Sequence, residues 1–190
     1  MGSRRSGSRY DAQMHRLFVA IRPPRPIRET LLNVMGGVAG ARWQSEDQLH
    51  LTLRFIGEVE AHVADDVVSS LGSVRHPPFR IALSRIGSFE RRGQPEVLWA
   101  GVAPQDEIRV LHKKVDQACQ RAGLAPEGRA FAPHITLARL KRGSGSIAAF
   151  IETNGGLSSE PFTADSFGLY ESQLTPEGAV YSLVERYRLD

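Results

Sequence analysis

Apolar positions along the chain fall into two rhythms. Short apolar or alternating runs predict strands over 17–21, 49–56, 79–89, 97–102, 134–140, 162–170 and 180–187. Between them, apolar residues spaced by three or four positions predict helices over 26–38, 60–74, 105–122 and 144–153. Pro23, Pro24 and Pro26 separate the first strand from the first helix, Gly57 stops the second strand, and the ERRGQPE segment from Glu90 to Glu96 reads as a turn.

This plan occurs twice. Leu17, Ile21, Pro23, Ile27 and Arg28 align with Leu98, Val102, Pro104, Ile108 and Arg109, each pair 81 residues apart. His50 to Leu53 align with His134 to Leu137 at an offset of 84, and Pro78, Phe79 and Val97 align with Pro161, Phe162 and Val180 at 83. Small changes of offset are what loop insertions produce. The expectation is an internal duplication giving two related lobes about a pseudo-two-fold axis, too few units for a solenoid.

The sharpest repeated feature is His-x-Thr, as HLTLRF from His50 and HITLAR from His134. Side chains alternate along a strand, so His50 and Thr52 share one face while Leu49, Leu51 and Leu53 point to the other. His134 and Thr136 do the same against Ile135 and Leu137. Packing gives no reason for a titratable residue at the same internal strand position twice. If the lobes face each other, one cleft holds two imidazoles and two hydroxyls. That set suits in-line displacement at phosphorus: one neutral imidazole takes a proton from water, and one imidazolium protonates the departing oxygen. Histidine serves both roles because its ordinary pKa of about 6.5 populates both forms near neutrality. The threonines could donate to the non-bridging oxygens, where charge builds. A metal site is the competing reading, but there is no His-x-His or HExxH, and no carboxylate lies in either motif.

Composition narrows the setting. The 190 residues, 41% hydrophobic and 24% charged, suit one globular domain or two small lobes sharing a core. A net charge of +3 favours a phosphate-bearing ligand without demanding a long nucleic-acid track. One cysteine, Cys119, excludes an intramolecular disulfide or a cysteine-built zinc site, and reads as packed on a helix in a reducing cytoplasm. No apolar run approaches a membrane span or a secretory signal. Residues 1–13, rich in Gly, Ser and Arg, read as a disordered tail or tag, leaving 14–190 as a single domain of two lobes.

The paired HLTLRFIG and APHITLAR, with the opening RLFVAIRPP, the VLWAGV strand and the closing YSLVERYRL, resemble the 2H phosphoesterase superfamily. They are most similar to its bacterial and archaeal RNA 2′,3′-cyclic phosphodiesterases, also described as 2′-5′ RNA ligases, over about residues 16–189. The resemblance implies an α+β, bilobal, pseudo-two-fold fold, with antiparallel sheets flanking a central cleft and helices outside. It implies hydrolysis of RNA 2′,3′-cyclic phosphate ends to 2′-phosphomonoesters, with reverse 2′-5′ ligation as a further capacity, and no cofactor or metal. It makes His50 the proton donor, His134 the proton acceptor, and Thr52 and Thr136 phosphate binders; the duplication alone does not choose between the histidines. The expected partner is RNA with a cyclic end, or a cyclic nucleotide, acted on by a cytoplasmic monomer that meets no membrane. Gln48 and Ile56 replace the expected Asn and Leu, and neither is expected to touch the chemistry.

Secondary candidates are weaker. Arg139 lies five residues past His134, an odd separation that puts it on the opposite face unless a bulge or strand end intervenes. It is a candidate phosphate contact on that condition; Phe55, at the same odd offset from His50, reads as core. Trp43, Arg91 and Arg92 are candidate substrate contacts at a cleft rim. His15, His62, His76 and His112 are expected at the surface, and KRGSGS as a flexible link to a helix. The rival functions are a cyclic phosphodiesterase acting on a small nucleotide such as ADP-ribose 1″,2″-cyclic phosphate, a non-catalytic RNA-end binding module, and a structural partner protein.

Overall fold

The computed structural model describes residues 13–190; the expected tail therefore lies, except for Gln13, outside the described residues. The strands are β1 (Met14–Ile21), β2 (Arg42–Trp43), β3 (Leu51–Glu60), β4 (Phe79–Arg91), β5 (Gln94–Ala103), β6 (His134–Arg139), β7 (Phe162–Ala164), β8 (Ser166–Thr175) and β9 (Gly178–Arg188). The helices are α1 (Arg25–Val34), α2 (Ala61–Leu71), α3 (Asp106–Arg121) and α4 (Ala148–Asn154), with a 3₁₀ turn at Glu46–Gln48 before β3. Every expected helix and strand is present, except that the strand expected over 162–170 is broken at Asp165 into β7 and β8. β2 and the 3₁₀ turn are too short for a periodicity to register. α4 begins later than expected because KRGSGS is tied down: the Ser144 hydroxyl donates to the Gly40 carbonyl, and the Gly145 N–H to that of Ala39.

The described strands form one antiparallel sheet in the order β7-β4-β5-β6-β3-β1-β8-β9, with β2 beside β6. The two halves of the chain meet where β3 and β6 pair through Leu51 and Ile135, which are equivalent residues of the duplication. An antiparallel pair that matches a residue with its own repeat puts the pseudo-two-fold axis through that pair. β3 and β1 on one side then answer to β6 and β5 on the other.

This topology adjusts two of the sequence anchors. Ala20 pairs with Thr52 and Trp99 with Thr136, so the inner strands are equivalent at 79 rather than 81, a slip of two that keeps each residue on its face. Val97 and Val180 are not spatially equivalent, because β5 lies inside its half of the sheet whereas β9 lies at the edge. The segments flanking Pro23 and Pro104 match because both lead into helices, not because the strands share a register.

The core explains which face is free. Leu51, Leu53, Ile135 and Leu137 are at most 1% exposed, on the side where α2 and α3 cross β1 and β3 and α4 lies against β4. Ile108, Leu111, Val115, Ala118 and Cys119 form the buried stripe of α3. Burying each large aliphatic side chain contributes about 1.5–3 kcal/mol, so the alternation holds β3 and β6 helix-side down. His50, Thr52, His134 and Thr136 remain half-buried on the other face.

Candidate active site

Continuing the Leu51–Ile135 register by one residue each way sets His50 across from Thr136, and Thr52 across from His134. The sequence paired each histidine with the threonine on its own strand; the sheet also brings it beside the threonine of the other half.

The two imidazoles are held alike. His50 Nδ1–H donates to the Gln48 carbonyl at 2.6 Å, and His134 Nδ1–H to the Ala132 carbonyl at 2.7 Å. A carbonyl can only accept, so each Nδ1 carries the proton, and among the described residues neither Nε2 makes a hydrogen bond. Gln48 also braces the segment that holds His50. Its side chain accepts from the Ser45 N–H and donates to the Ala179 carbonyl, tying the loop ahead of His50 to β9.

Burial lowers His50 to about 4, and the positive charges of His134 and Arg139 push the same way, against its bond to Gln48. His134 is lowered as well, first by burial and then by Arg139, against its bond to Ala132. Both shifts favour the neutral imidazole near pH 7.

Arg139 acts on both rings because a β-bulge turns it there. Leu98 pairs with Ala138 and Trp99 with Thr136, leaving Leu137 without a partner. One extra residue reverses the alternation, so Ala138 is buried and Arg139 emerges on the histidine face. The same bulge occurs in β3 at Leu53, between the Val19–Arg54 and Ala20–Thr52 pairs. Arg54 is thereby sent to the helix side, where it meets Asp116 at 3.0 Å and Glu127 at 2.9 Å. Phe55 is returned to the histidine face, 49% exposed and with the Arg16 guanidinium over its ring. This overturns the core assignment of Phe55. The two bulge carbonyls find partners outside the ladder: His112 Nδ1–H donates to that of Leu53, and the Gln44 N–H to that of Leu137.

A cavity flanks each histidine. Beside His50, about 230 Å³ is lined by Phe18, Tyr170, Tyr181, Leu183 and Arg22. Tyr181 meets the His50 ring edge-on at 5.2 Å and Phe18 lies 4.8 Å from it. Beside His134, about 530 Å³ is lined by Phe89, Trp99, Arg85 and Arg109, and Phe89 meets that ring edge-on at 4.8 Å. Trp99 lies flat across Gly87 of β4, where any Cβ would come within 2.3 Å of the indole. These aromatic walls escaped sequence reasoning. Phe18 reads as one more core residue of β1, and nothing local marks Tyr181 or Phe89.

The remaining candidates separate. Trp43 is not at the cleft. It pairs with Ala138 and shares that residue's buried face, packing on Phe150 of α4 at 5.3 Å. Arg91 and Arg92 are exposed at the β4–β5 turn and line neither cavity beside the histidines. Of the histidines expected at the surface, His62 is there, with 71% of its side chain exposed. His76 is buried at 2% between the Pro77 carbonyl and Glu107. His112 stacks on Phe131, and half-buried His15 pairs with Glu171 at 2.8 Å. Among the described residues no three His, Cys, Asp or Glu side chains gather as a metal site would require, and no helix is long and apolar enough to cross a membrane.

The sequence model of the family described as LigT like Phosphoesterase matches the chain twice, over residues 21–99 and again over 101–181. The class is thus an enzyme, a phosphoesterase built from two copies of one unit. The chain belongs to the LigT-like phosphoesterase family. It is 31% identical over 169 residues to the RNA 2′,3′-cyclic phosphodiesterase of Archaeoglobus fulgidus, covering 87% of this chain and 96% of the relative. With that of Aeropyrum pernix it shares 35% over 139 residues, covering 72% and 79%. Among solved structures it is similar to LigT of E. coli complexed with 3′-AMP, with a TM-score of 0.74 and 27% identity over 93% of this chain and 99% of that one.

Proposed function

We propose that this enzyme opens the 2′,3′-cyclic phosphate at an RNA end to a 2′-phosphomonoester, with His134 as general base and His50 as general acid. The observation that carries the reading is the matched pair of imidazoles, each with Nδ1–H tied to a backbone carbonyl two residues back and with Nε2 unbonded among the described residues. Water attacks phosphorus and gives a proton to His134 Nε2. The P–O3′ bond breaks as His50 Nε2–H protonates O3′. Thr52 and Thr136 donate to the non-bridging oxygens, and the Arg139 guanidinium, on the same face, stabilises the added charge.

The direction follows from the leaving group. O3′ belongs to the terminal ribose, so the acid must stand on the nucleoside side. Of the two aromatic-walled cavities, the one formed by Phe18, Tyr170 and Tyr181 adjoins His50 and is the one assigned to the base in this reading. The cyclic phosphate is an anion, and an anion within hydrogen-bond reach favours the imidazolium form. Substrate thereby loads the acid whose burial favours the neutral form. A ribose 5′-hydroxyl in place of water would give a 2′-5′ linkage by the same two proton transfers.

The test is turnover of 2′,3′-cyclic AMP in excess EDTA, with phosphorus NMR of the product. Wild type is expected to yield the 2′-phosphate unaffected by EDTA. His50→Ala and His134→Ala should each lose about 10²–10⁴-fold. No turnover by folded wild type, or loss with EDTA, overturns the reading.

A further inference from the structure

The two ends of the sheet beyond the paired histidines differ in charge. Past Arg139, at one end, Lys141 and Arg142 meet Arg91 and Arg92 of the β4–β5 turn around a shallow cavity of about 650 Å³. Past Phe55, at the other, β3 ends with Glu58 and Glu60, and Arg16 of β1 pairs with Glu58.

Among the described residues, none of Arg91, Arg92, Lys141 and Arg142 makes an ion pair, and Glu96 is the one carboxylate lining their cavity. The arginines near the His50 cavity differ. Arg22 is matched by Asp47 and Arg28 by Glu46. Four unmatched cations side by side repel one another unless a polyanion lies across them.

Arg92 is also held against its backbone preference. Arg91 pairs with Gln94, and the two residues between, Arg92 and Gly93, have φ of 52° and 73°. A two-residue hairpin with both φ positive favours Asn-Gly or Asp-Gly; a long cation there is a costly choice that places positive charge at the tip.

We infer that this basic end binds the RNA chain leading to the cyclic phosphate, so that the pseudo-symmetric cleft takes its substrate in one direction and favours a polynucleotide over a mononucleotide. The inference rests on the proposed cyclic-phosphodiesterase reading. From His134 to Arg139 the strand runs about 16 Å, and the four cations lie beyond. They meet phosphates upstream of the terminal nucleotide, where a mononucleotide does not extend.

The experiment compares 2′,3′-cyclic AMP with a cyclic-ended octanucleotide across salt concentrations, using wild type, Lys141→Ala/Arg142→Ala and Arg92→Asn. For the octanucleotide, log kcat/KM should fall with log salt with a slope of about −3, as four neutralised phosphates of a single strand require. The mononucleotide should give a much shallower slope. The double variant should lose at least tenfold on the octanucleotide and flatten its slope by about 1.4, with the mononucleotide unchanged within twofold. Arg92→Asn suits the turn, so it should raise Tm while still lowering kcat/KM for the octanucleotide, which separates RNA binding from folding damage. Equal salt slopes for the two substrates, or equal losses on both in the variants, overturn the inference. If wild type turns over neither substrate, the underlying reading fails instead.

Discussion

His50 and His134 share a tautomer but not a neighbourhood, and in the proposed mechanism their titration ties folding to catalysis. His50 titrates at about 4 when folded and about 6.5 when unfolded. Below pH 6.5 the unfolded chain therefore binds a proton that the folded protein refuses, and stability falls as pH drops toward 4. Between pH 7 and pH 5 this removes about 2 kcal/mol. Urea titrations should find that His50→Asn, which cannot titrate, loses correspondingly less over that interval. The same lowering predicts a bell-shaped kcat/KM profile centred on the acid side of pH 6.5, since the free enzyme must hold one proton between the two rings. kcat, which reports the substrate complex, should peak at higher pH. Arg139 lowers both rings, so Arg139→Gln should move the kcat/KM optimum upward as well as reduce its height. An optimum unmoved in that variant would deny Arg139 its electrostatic role. Cys119, by contrast, has a thiol pushed up to about 11 by burial and is expected to resist alkylation in the folded protein.

At the scale of the element, the two bulges are the feature that alternation could not supply. Counting by twos from His50 and His134 assigns His-x-Thr correctly as far as Thr52 and Thr136. One unpaired leucine then reverses the faces of Arg54, Phe55 and Arg139. The sequence carries no separate mark for a bulge at Leu53 or Leu137, because a buried leucine on a strand reads the same with or without a ladder partner. What stabilises the bulge comes from elsewhere in the chain. His112 reaches from α3 to the Leu53 carbonyl, so His112→Phe, which keeps the stack on Phe131, should leave that carbonyl unsatisfied. The expected cost is about 1–3 kcal/mol in urea unfolding. A change smaller than a few tenths would mean that water replaces the imidazole there.

The whole molecule depends on a narrow seam. Both halves of the sheet meet at the Leu51–Ile135 pair, with the histidines one residue away on either strand. Ile135→Ala should therefore cost about 2–5 kcal/mol through the lost side chain and the cavity it leaves, and should depress turnover beyond what that loss explains at temperatures where the variant is fully folded. If the shared sheet makes 14–190 one cooperative unit, far-UV circular dichroism and tryptophan fluorescence will unfold in a single coincident transition. Two separated transitions would mean that the lobes fold independently.

The sequence by itself determined the strands and helices, the duplication and the identity of the paired His-x-Thr, because each is written in local periodicity or in repetition at a fixed offset. It also carried a turn within ERRGQPE and the packing of Cys119 on a helix. Only the tertiary structure decided that the lobes are halves of one sheet and that each histidine faces the other half's threonine. It also decided that Trp43 packs on Phe150 while Phe55 and Arg139 emerge on the histidine face. Those outcomes depend on strand order and register, and a single unpaired residue changes every face beyond it; pairing between distant segments leaves no imprint on the spacing within either one.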